Sequence, residues 1–266
     1  MAAQKSGSAM RIINSALGVW TVLVLIFFYV PIAILIGFSF NTSRLNILWE
    51  GFTLKWYGAI WRDAVLVRSL NNSLVVALAS TLLSVLLGTG GAWLLYRYRF
   101  PAVRLVQTLV FIPMIIPEVI MGVSLLILFV TIQLELGFTT IIISHVTFCF
   151  PFVMVAVQAR LAGLDPSLEE AALDLGATPA LAFRKILVPY LMPAIISGAL
   201  MSFTLSLDEL IVTYFTASAR TRTLPLEIFG RVKKGLDPTL NAISTVFIAS
   251  TVLLVLVTEI LKRRSR

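Results

Sequence analysis

The stretch Leu164–Pro189 reads LDPSLEEAALDLGATPALAFRKILVP, and it is charged and amphipathic where the chain on either side is apolar. Asp165 followed by Pro166 makes a helix start: the carboxylate caps orphan N–H groups, and proline suits the first helical position. Leu168, Ala171, Ala172 and Leu175 then recur at helical spacing. Gly176 ends that helix, as glycine after a helix commonly does, and Thr178-Pro179 opens a second by the same cap-plus-proline device. The spacing predicts two short helices joined by a glycine turn, lying outside a hydrocarbon layer.

The rest of the chain predicts that layer. Of its 266 residues 59% are hydrophobic and 13% charged, with a mean hydropathy of +0.97. A soluble domain carries about 25% charged residues, and a chain of this length cannot hide so much apolar surface from water. A bilayer core about 30 Å thick takes about 20 apolar residues as a helix. Six stretches qualify: Gly18–Phe40, Ser73–Tyr96, Gln107–Thr131, Thr139–Ala159, Tyr190–Tyr214 and Leu240–Glu259. The first is too long for a cleaved signal peptide and reads as an uncleaved span. The expected fold is an all-α integral membrane protein, with six transmembrane helices in a single domain over residues 1–266.

In a soluble protein a net charge of +8, from 21 Lys+Arg against 13 Asp+Glu, would suggest nucleic acid. Here the basic residues read as headgroup anchors in a lipid bilayer, and no nucleic acid partner is expected. With both termini cytoplasmic, 12 of the 21 fall inside and the other 9 outside, the latter including Arg44, Arg220, Lys233 and Lys234. The short Arg97–Arg104 loop and the Lys262–Arg266 tail carry the inside signal best. Pro31, Pro113, Pro117, Pro151 and Pro193 interrupt the spans and predict kinks. The single cysteine, Cys149, excludes an intrachain disulfide, and the single histidine, His145, argues against a histidine-rich metal site or a Ser/His/Asp triad. The two stand four apart on one face of the fourth span and are expected to pack between helices.

Glu170-Ala171-Ala172, three residues, Gly176, nine residues, Ile186, one residue, then Val188-Pro189 resembles the EAA loop of ABC-importer permeases, with Val188 where that family usually has leucine. The resemblance implies a type I importer permease fold in which this loop is a coupling helix docked on an ATPase. It gives Glu170 a polar contact there, Ala171 and Ala172 close packing, and Gly176 the turn. Along nearly its whole length the chain is similar to the second permease subunit of spermidine/putrescine importers. The matching stretches include Phe40–Arg44, Gly51–Tyr57, Tyr96–Phe100, Ser144–Cys149 and Ser202–Glu209. No GxxxxGK[ST] phosphate loop occurs, so the chain is expected to bind no cofactor, with ATP and Mg²⁺ on the partner ATPase. The resemblance further implies a second related permease, two ATPase subunits, an extracytoplasmic binding protein, a bacterial inner-membrane location and transport by alternating access.

Apart from Glu259, the last residue of the sixth stretch, three acids fall within the predicted spans: Glu118, directly after Pro117, and the pair Asp208 and Glu209. A charge at the bilayer centre costs about 2.5–3.5 kcal/mol on insertion scales and usually faces a cavity or a partner. A cationic substrate path is the functional reading, since each ammonium of a polyamine favours a carboxylate where the dielectric is low. In the spermidine/putrescine family, acids at positions matching these three are associated with transport. Ion pairs with a partner permease, or headgroup contacts, are the structural alternative. Tyr29 and Trp56 match aromatic positions of the family and are candidates for cation–π contact with substrate, or for interface anchoring. The rival readings are the same machinery carrying an opine, aminobutyrate or phosphonate, an ion-driven secondary transporter, and a membrane-embedded enzyme. The long coupling loop argues against the transporter, and the lack of any nucleophile–base or metal-ligand set argues against the enzyme.

Overall fold

The computed structural model describes residues 2–43, 48–98, 101–165, 167–233, Gly235 and 238–264. Arg44, Arg99, Phe100, Pro166, Lys234 and Arg266, named above, lie outside them. The described residues are helical, apart from loops and one isolated bridge between Asn41 and Phe52. The chain divides into two compact units, residues 1–62 with 231–249 and residues 63–230 with 250–266.

In the first unit α1 (Ala2–Phe38) is a 37-residue helix with Pro31 inside it. None of its apolar stretch Ala16–Phe38 is buried, a surface suited to lipid or to another chain. The loop that follows is built on Asn41, whose side chain is buried. Asn41 Nδ2 donates to the Leu48 carbonyl at 2.7 Å, and Oδ1 accepts the Glu50 N–H at 2.9 Å and the Ser43 N–H at 3.3 Å. The Phe40 ring sits 5.3 Å from both Phe52 and Tyr57, and the Ser39 and Tyr57 hydroxyls are 2.7 Å apart. The short helix α2 (Lys55–Arg62) closes the loop.

The second unit opens with α3 (Ala64–Arg97), capped by Asp63, whose Oδ1 accepts the Val65 and Leu66 N–H groups at 3.0 and 3.1 Å. At its centre α6 (Phe138–Leu161) packs against α3 and α9 (Val188–Asp208). Ala92, Val153, Met154, Val157, Leu161, Leu187 and Leu191 form its main core. Small residues allow the close approach: Val153 of α6 fits between Gly88 of α3 and Gly198 of α9. Cys149 is buried, with its Sγ donating to the Ser202 carbonyl at 3.6 Å. The chain between α10 (Ile211–Thr216) and α11 (Leu224–Val232) is stitched to α3. There Asn72 donates to the Arg222 carbonyl at 2.9 Å, and Ser73 accepts the Leu224 N–H at 2.8 Å.

Two predicted spans are not continuous. Gln107–Thr131 divides into α4 (Val103–Ile115) and α5 (Glu118–Thr131), bent by 109°. Ile116 and Pro117 are extended, because a proline disfavours helical backbone before it and supplies no N–H to continue the ladder. The turn is far sharper than the kink expected there. Tyr190–Tyr214 stops at Asp208 and resumes at Ile211, with Glu209 extended at ψ 118°. Among the described residues, four helices are long and apolar enough to cross a membrane, or five if α4 and α5 count as one span. The chain is a multi-pass membrane protein. The last helix, α12 (Pro238–Arg264), contains the whole of the sixth predicted stretch, Leu240–Glu259.

Candidate functional site

Two places carry chemistry. One is the loop between α6 and α9, which folds as α7 (Ser167–Asp174), α8 (Pro179–Ala182) and a π-helical turn, Phe183–Leu187. Asp165 caps as expected: its Oδ1 accepts the Ser167 N–H at 3.0 Å, and that bond holds the carboxyl below the usual aspartate range. After α7, Gly176 adopts φ +85°, and the Ala177 N–H reaches back to the Ala172 carbonyl at 3.0 Å. Thr178 caps α8 through the Leu181 N–H at 3.3 Å, with Pro179 in the first turn. Gly176→Val should strain this turn by about 1–2 kcal/mol, the cost of a left-handed backbone for an L side chain. The expected result is faster proteolytic cleavage around Leu175–Ala177, and cleavage at the wild-type rate would refute it.

The expected apolar stripe of α7 divides between two faces. Ala172 packs inward, whereas Leu168, Ala171 and Leu175 point outward, Leu175 with 90% of its surface exposed. Glu170 and Pro189 are exposed too. Ile186 packs against the main core and so anchors the π-helical turn. The neighbouring acid, Glu169, is buried and pairs with Arg97 at the end of α3. One helical turn earlier on α3, the Trp93 ring lies 4.4 Å from Phe183. At the base of the loop, the Tyr190 hydroxyl donates to the Gly163 carbonyl at 3.0 Å, and the Arg160 guanidinium covers the Tyr190 ring at 4.5 Å. The loop is therefore fixed to α3, α6 and α9. Sequence reasoning passed over Arg97, Glu169, Trp93 and Phe183. The i, i+4 spacing of Trp93 and Arg97 marks one helix face, but only the fold reveals what that face meets.

The second place is the gap between α9 and α10. Asp208 ends α9 and is exposed; Glu209 is 6% exposed, and its Oε1 accepts the Val212 N–H at 2.7 Å. Glu118 is half-buried and is the first residue of α5, directly after the break in the predicted span Gln107–Thr131. α5 packs against α10, and both Glu118 and Asp208 lie within electrostatic range of Glu209. The fold thus brings Glu118 of α5 to the consecutive pair Asp208-Glu209. Among the described residues none of them pairs with a lysine or arginine, and no group of three metal-binding side chains occurs. His145, also missed as a site residue, stands beside the gap, with Nδ1 2.7 Å from Ser206 Oγ and Nε2 2.8 Å from Thr213 Oγ1. Tyr29 and Trp56 belong to the other unit. Tyr29 is 64% exposed on α1. Trp56 donates its Nε1–H to the Asn41 carbonyl at 2.7 Å and has Lys55 Nζ 4.4 Å from its ring centroid.

Residues 80–266 match the family model described as "Binding-protein-dependent transport system inner membrane component". The chain is 40% identical over 237 residues to the spermidine/putrescine transport system permease protein PotC of Escherichia coli K12, covering 89% of this chain and 90% of that protein. It is 39% identical over 242 residues to the putrescine transport system permease protein PotI of the same strain, covering 87% and 86%. Among solved structures, a bacterial alginate ABC transporter in complex with an alginate pentasaccharide-bound periplasmic protein superposes with a TM-score of 0.73 at 18% identity. That match covers 95% of this chain and 94% of the other. The chain belongs to the family of binding-protein-dependent transport system inner membrane components.

Proposed function

We propose that this permease carries a polyamine into the cytoplasm as the membrane subunit of an ATP-driven importer. The observation that carries the reading is the gathering of Glu118, Asp208 and Glu209 beside a broken helix, with no basic partner among the described residues. Three carboxylates there suit a substrate with two or more ammonium groups, and repel an anion. The names of the 39–40% identical relatives support the same cargo. In this reading Tyr29 and Trp56 add aromatic faces along the path, and all six apolar stretches span the membrane with both termini cytoplasmic.

The loop at α7 is then the coupling helix. Its outward Leu168, Ala171 and Leu175, flanked by Glu170, form an apolar face with a polar edge, fit for a cleft on an ATPase subunit. Ala172 and Ile186 hold that face against the permease, and Gly176 turns the chain between the two helices. Two ATPase subunits would bind ATP with Mg²⁺, a second related permease would complete the cavity, and an extracytoplasmic binding protein would deliver the cargo. Closure of the ATPases would push α7 and rock the spans between inward- and outward-open states.

The test is uptake of labelled putrescine and spermidine by cells expressing the whole transporter, with opine, aminobutyrate and phosphonate as competitors. Glu118→Gln should raise the half-saturating concentration about ten- to a hundredfold, the scale of one hydrogen bond to a charged group, about 1.5–3 kcal/mol. Polyamine uptake that is absent in the wild type, with a competitor carried instead, would discard the cargo and keep the machinery.

A further inference from the structure

His145 is the chain's only histidine, lies within α6 and is 1% exposed. It stands in a row of hydroxyls contributed by three other helices. Thr213 Oγ1 of α10 is 2.8 Å from its Nε2, and Ser206 Oγ of α9 is 2.7 Å from its Nδ1. Ser206 Oγ is in turn 2.8 Å from Ser80 Oγ of α3, which lies 2.7 Å from the Val76 carbonyl. Thr213 Oγ1 has one further contact, with the Glu209 carbonyl at 3.2 Å.

Counting protons decides the direction. Each hydroxyl has one proton to give, and a neutral imidazole has one. With the proton on Nδ1, Thr213 donates to Nε2, Nδ1 to Ser206, Ser206 to Ser80, and Ser80 to the Val76 carbonyl. All four contacts of 2.8 Å or less are then served, and only the longer contacts, Thr213 with the Glu209 carbonyl at 3.2 Å and Ser80 with the Ala77 carbonyl at 3.3 Å, lack a proton of their own. With the proton on Nε2, Ser206 must donate to Nδ1. Ser80 then has one proton for two short contacts, so one contact of 2.7 or 2.8 Å goes unserved. A doubly protonated ring would free the Thr213 proton for the Glu209 carbonyl as well. It would also bury a cation at membrane depth with no ion-pair partner among the described residues.

We propose that His145 is a positioning residue for transport. As the Nδ1–H tautomer it closes a one-way hydrogen-bonded chain, Thr213 to His145 to Ser206 to Ser80 to the Val76 carbonyl. That chain pins both sides of the α9–α10 gap to α3 and α6, and so fixes where Asp208 and Glu209 stand. The role of the acids in a cation path rests on the function proposed above; the chain itself does not.

The test has two arms. In the first, the full-length chain, ¹⁵N-labelled at histidine and carrying no histidine tag, is studied by solid-state NMR in lipid bilayers, where its single imidazole gives one pair of nitrogen signals. The expected result is a neutral ring with the proton on Nδ1, perturbed by Ser206→Ala. A proton on Nε2, or on both nitrogens, overturns the assignment. In the second arm Ser206→Ala and Thr213→Val are placed in the complete transporter, with the amount of permease in the membrane measured for each. Each should raise the half-saturating concentration about threefold, the worth of one interhelical hydrogen bond in a bilayer, and leave the maximal rate within about twofold. Ser84→Ala is the control, because Ser84 Oγ is buried without a hydrogen-bond partner. An unchanged half-saturating concentration, or an equal rise in the control, overturns the positioning role. If the wild type carries no polyamine, the cargo reading fails; the variants are then compared on whichever competitor is carried, and the NMR arm still decides the tautomer.

Discussion

Gly88→Ala should lower the stability of the folded permease by about 1–3 kcal/mol, the usual cost of forcing a methyl group into a packed interface. A Cβ at Gly88 would lie 2.8 Å from Val153 Cβ, 2.9 Å from the Phe150 carbonyl and 3.0 Å from the Met154 nitrogen. Two of those atoms are α6 backbone, so relief requires α3 and α6 to part. Elsewhere the same substitution meets softer surroundings. At Gly122 the nearest atom belongs to a side chain and not to backbone, the Phe215 ring at 2.6 Å, and at Gly198 the closest approach is Val153 Cα at 3.1 Å. Gly18 has nothing within 4 Å. Thermal unfolding in detergent should rank Gly88→Ala as least stable and Gly18→Ala as indistinguishable from wild type. A Gly88→Ala protein as stable as wild type would mean that α3 and α6 are held less closely than their backbones suggest.

Arg97→Glu should nearly abolish transport, and adding Glu169→Arg should recover much of it. The pair ties the end of α3 to α7, and Glu169 has only 11% of its side chain exposed. Reversing Arg97 sets two carboxylates against each other in that confined place. The penalty approaches the loss of a buried ion-pair partner, about 3 kcal/mol or more. Because the pair anchors the coupling helix of the proposed mechanism, the damage should fall on uptake more than on the amount of permease in the membrane. The double reversal restores opposite charges with the geometry inverted. Glu170→Arg offers the contrast, since Glu170 is exposed and should gain nothing from Arg97→Glu. A double reversal as inactive as Arg97→Glu alone would show that the two charges do not act on each other.

The loop between α6 and α9 was legible because its signals are local. Asp165, Gly176 and Thr178 each cap or end a helix within four residues of themselves, and each does so in the structure. The apolar stretches were legible for the same reason, as runs of composition. The breaks were only half visible. Pro117 announces that the ladder stops, but the 109° turn follows from α5 packing on α10. Glu209 carries no breaker at all, and the helix ends there with its side chain bonding forward to Val212. Least legible were contacts between distant positions. The motif drew attention to Glu170 and away from Glu169, yet the fold brings Arg97 to Glu169 and leaves Glu170 outside. The apolar stripe of α7 likewise gave no hint of which members would face inward, since periodicity marks a face and not what covers it.

The row of hydroxyls around His145 also sets a schedule for making the protein. Ser80 and Ser206 are 126 residues apart, and at about 5–20 residues per second the ribosome needs roughly 6–25 s to travel between them. Ser80 can bond the Val76 carbonyl of its own helix at once, so α3 enters lipid with that hydroxyl satisfied. His145 has no such local recourse: its partners Ser206 and Thr213 are made 61 and 68 residues later. Until α9 and α10 arrive, α6 is a helix with an unmet imidazole. It has reason to remain beside water or the insertion machinery until its neighbours are ready.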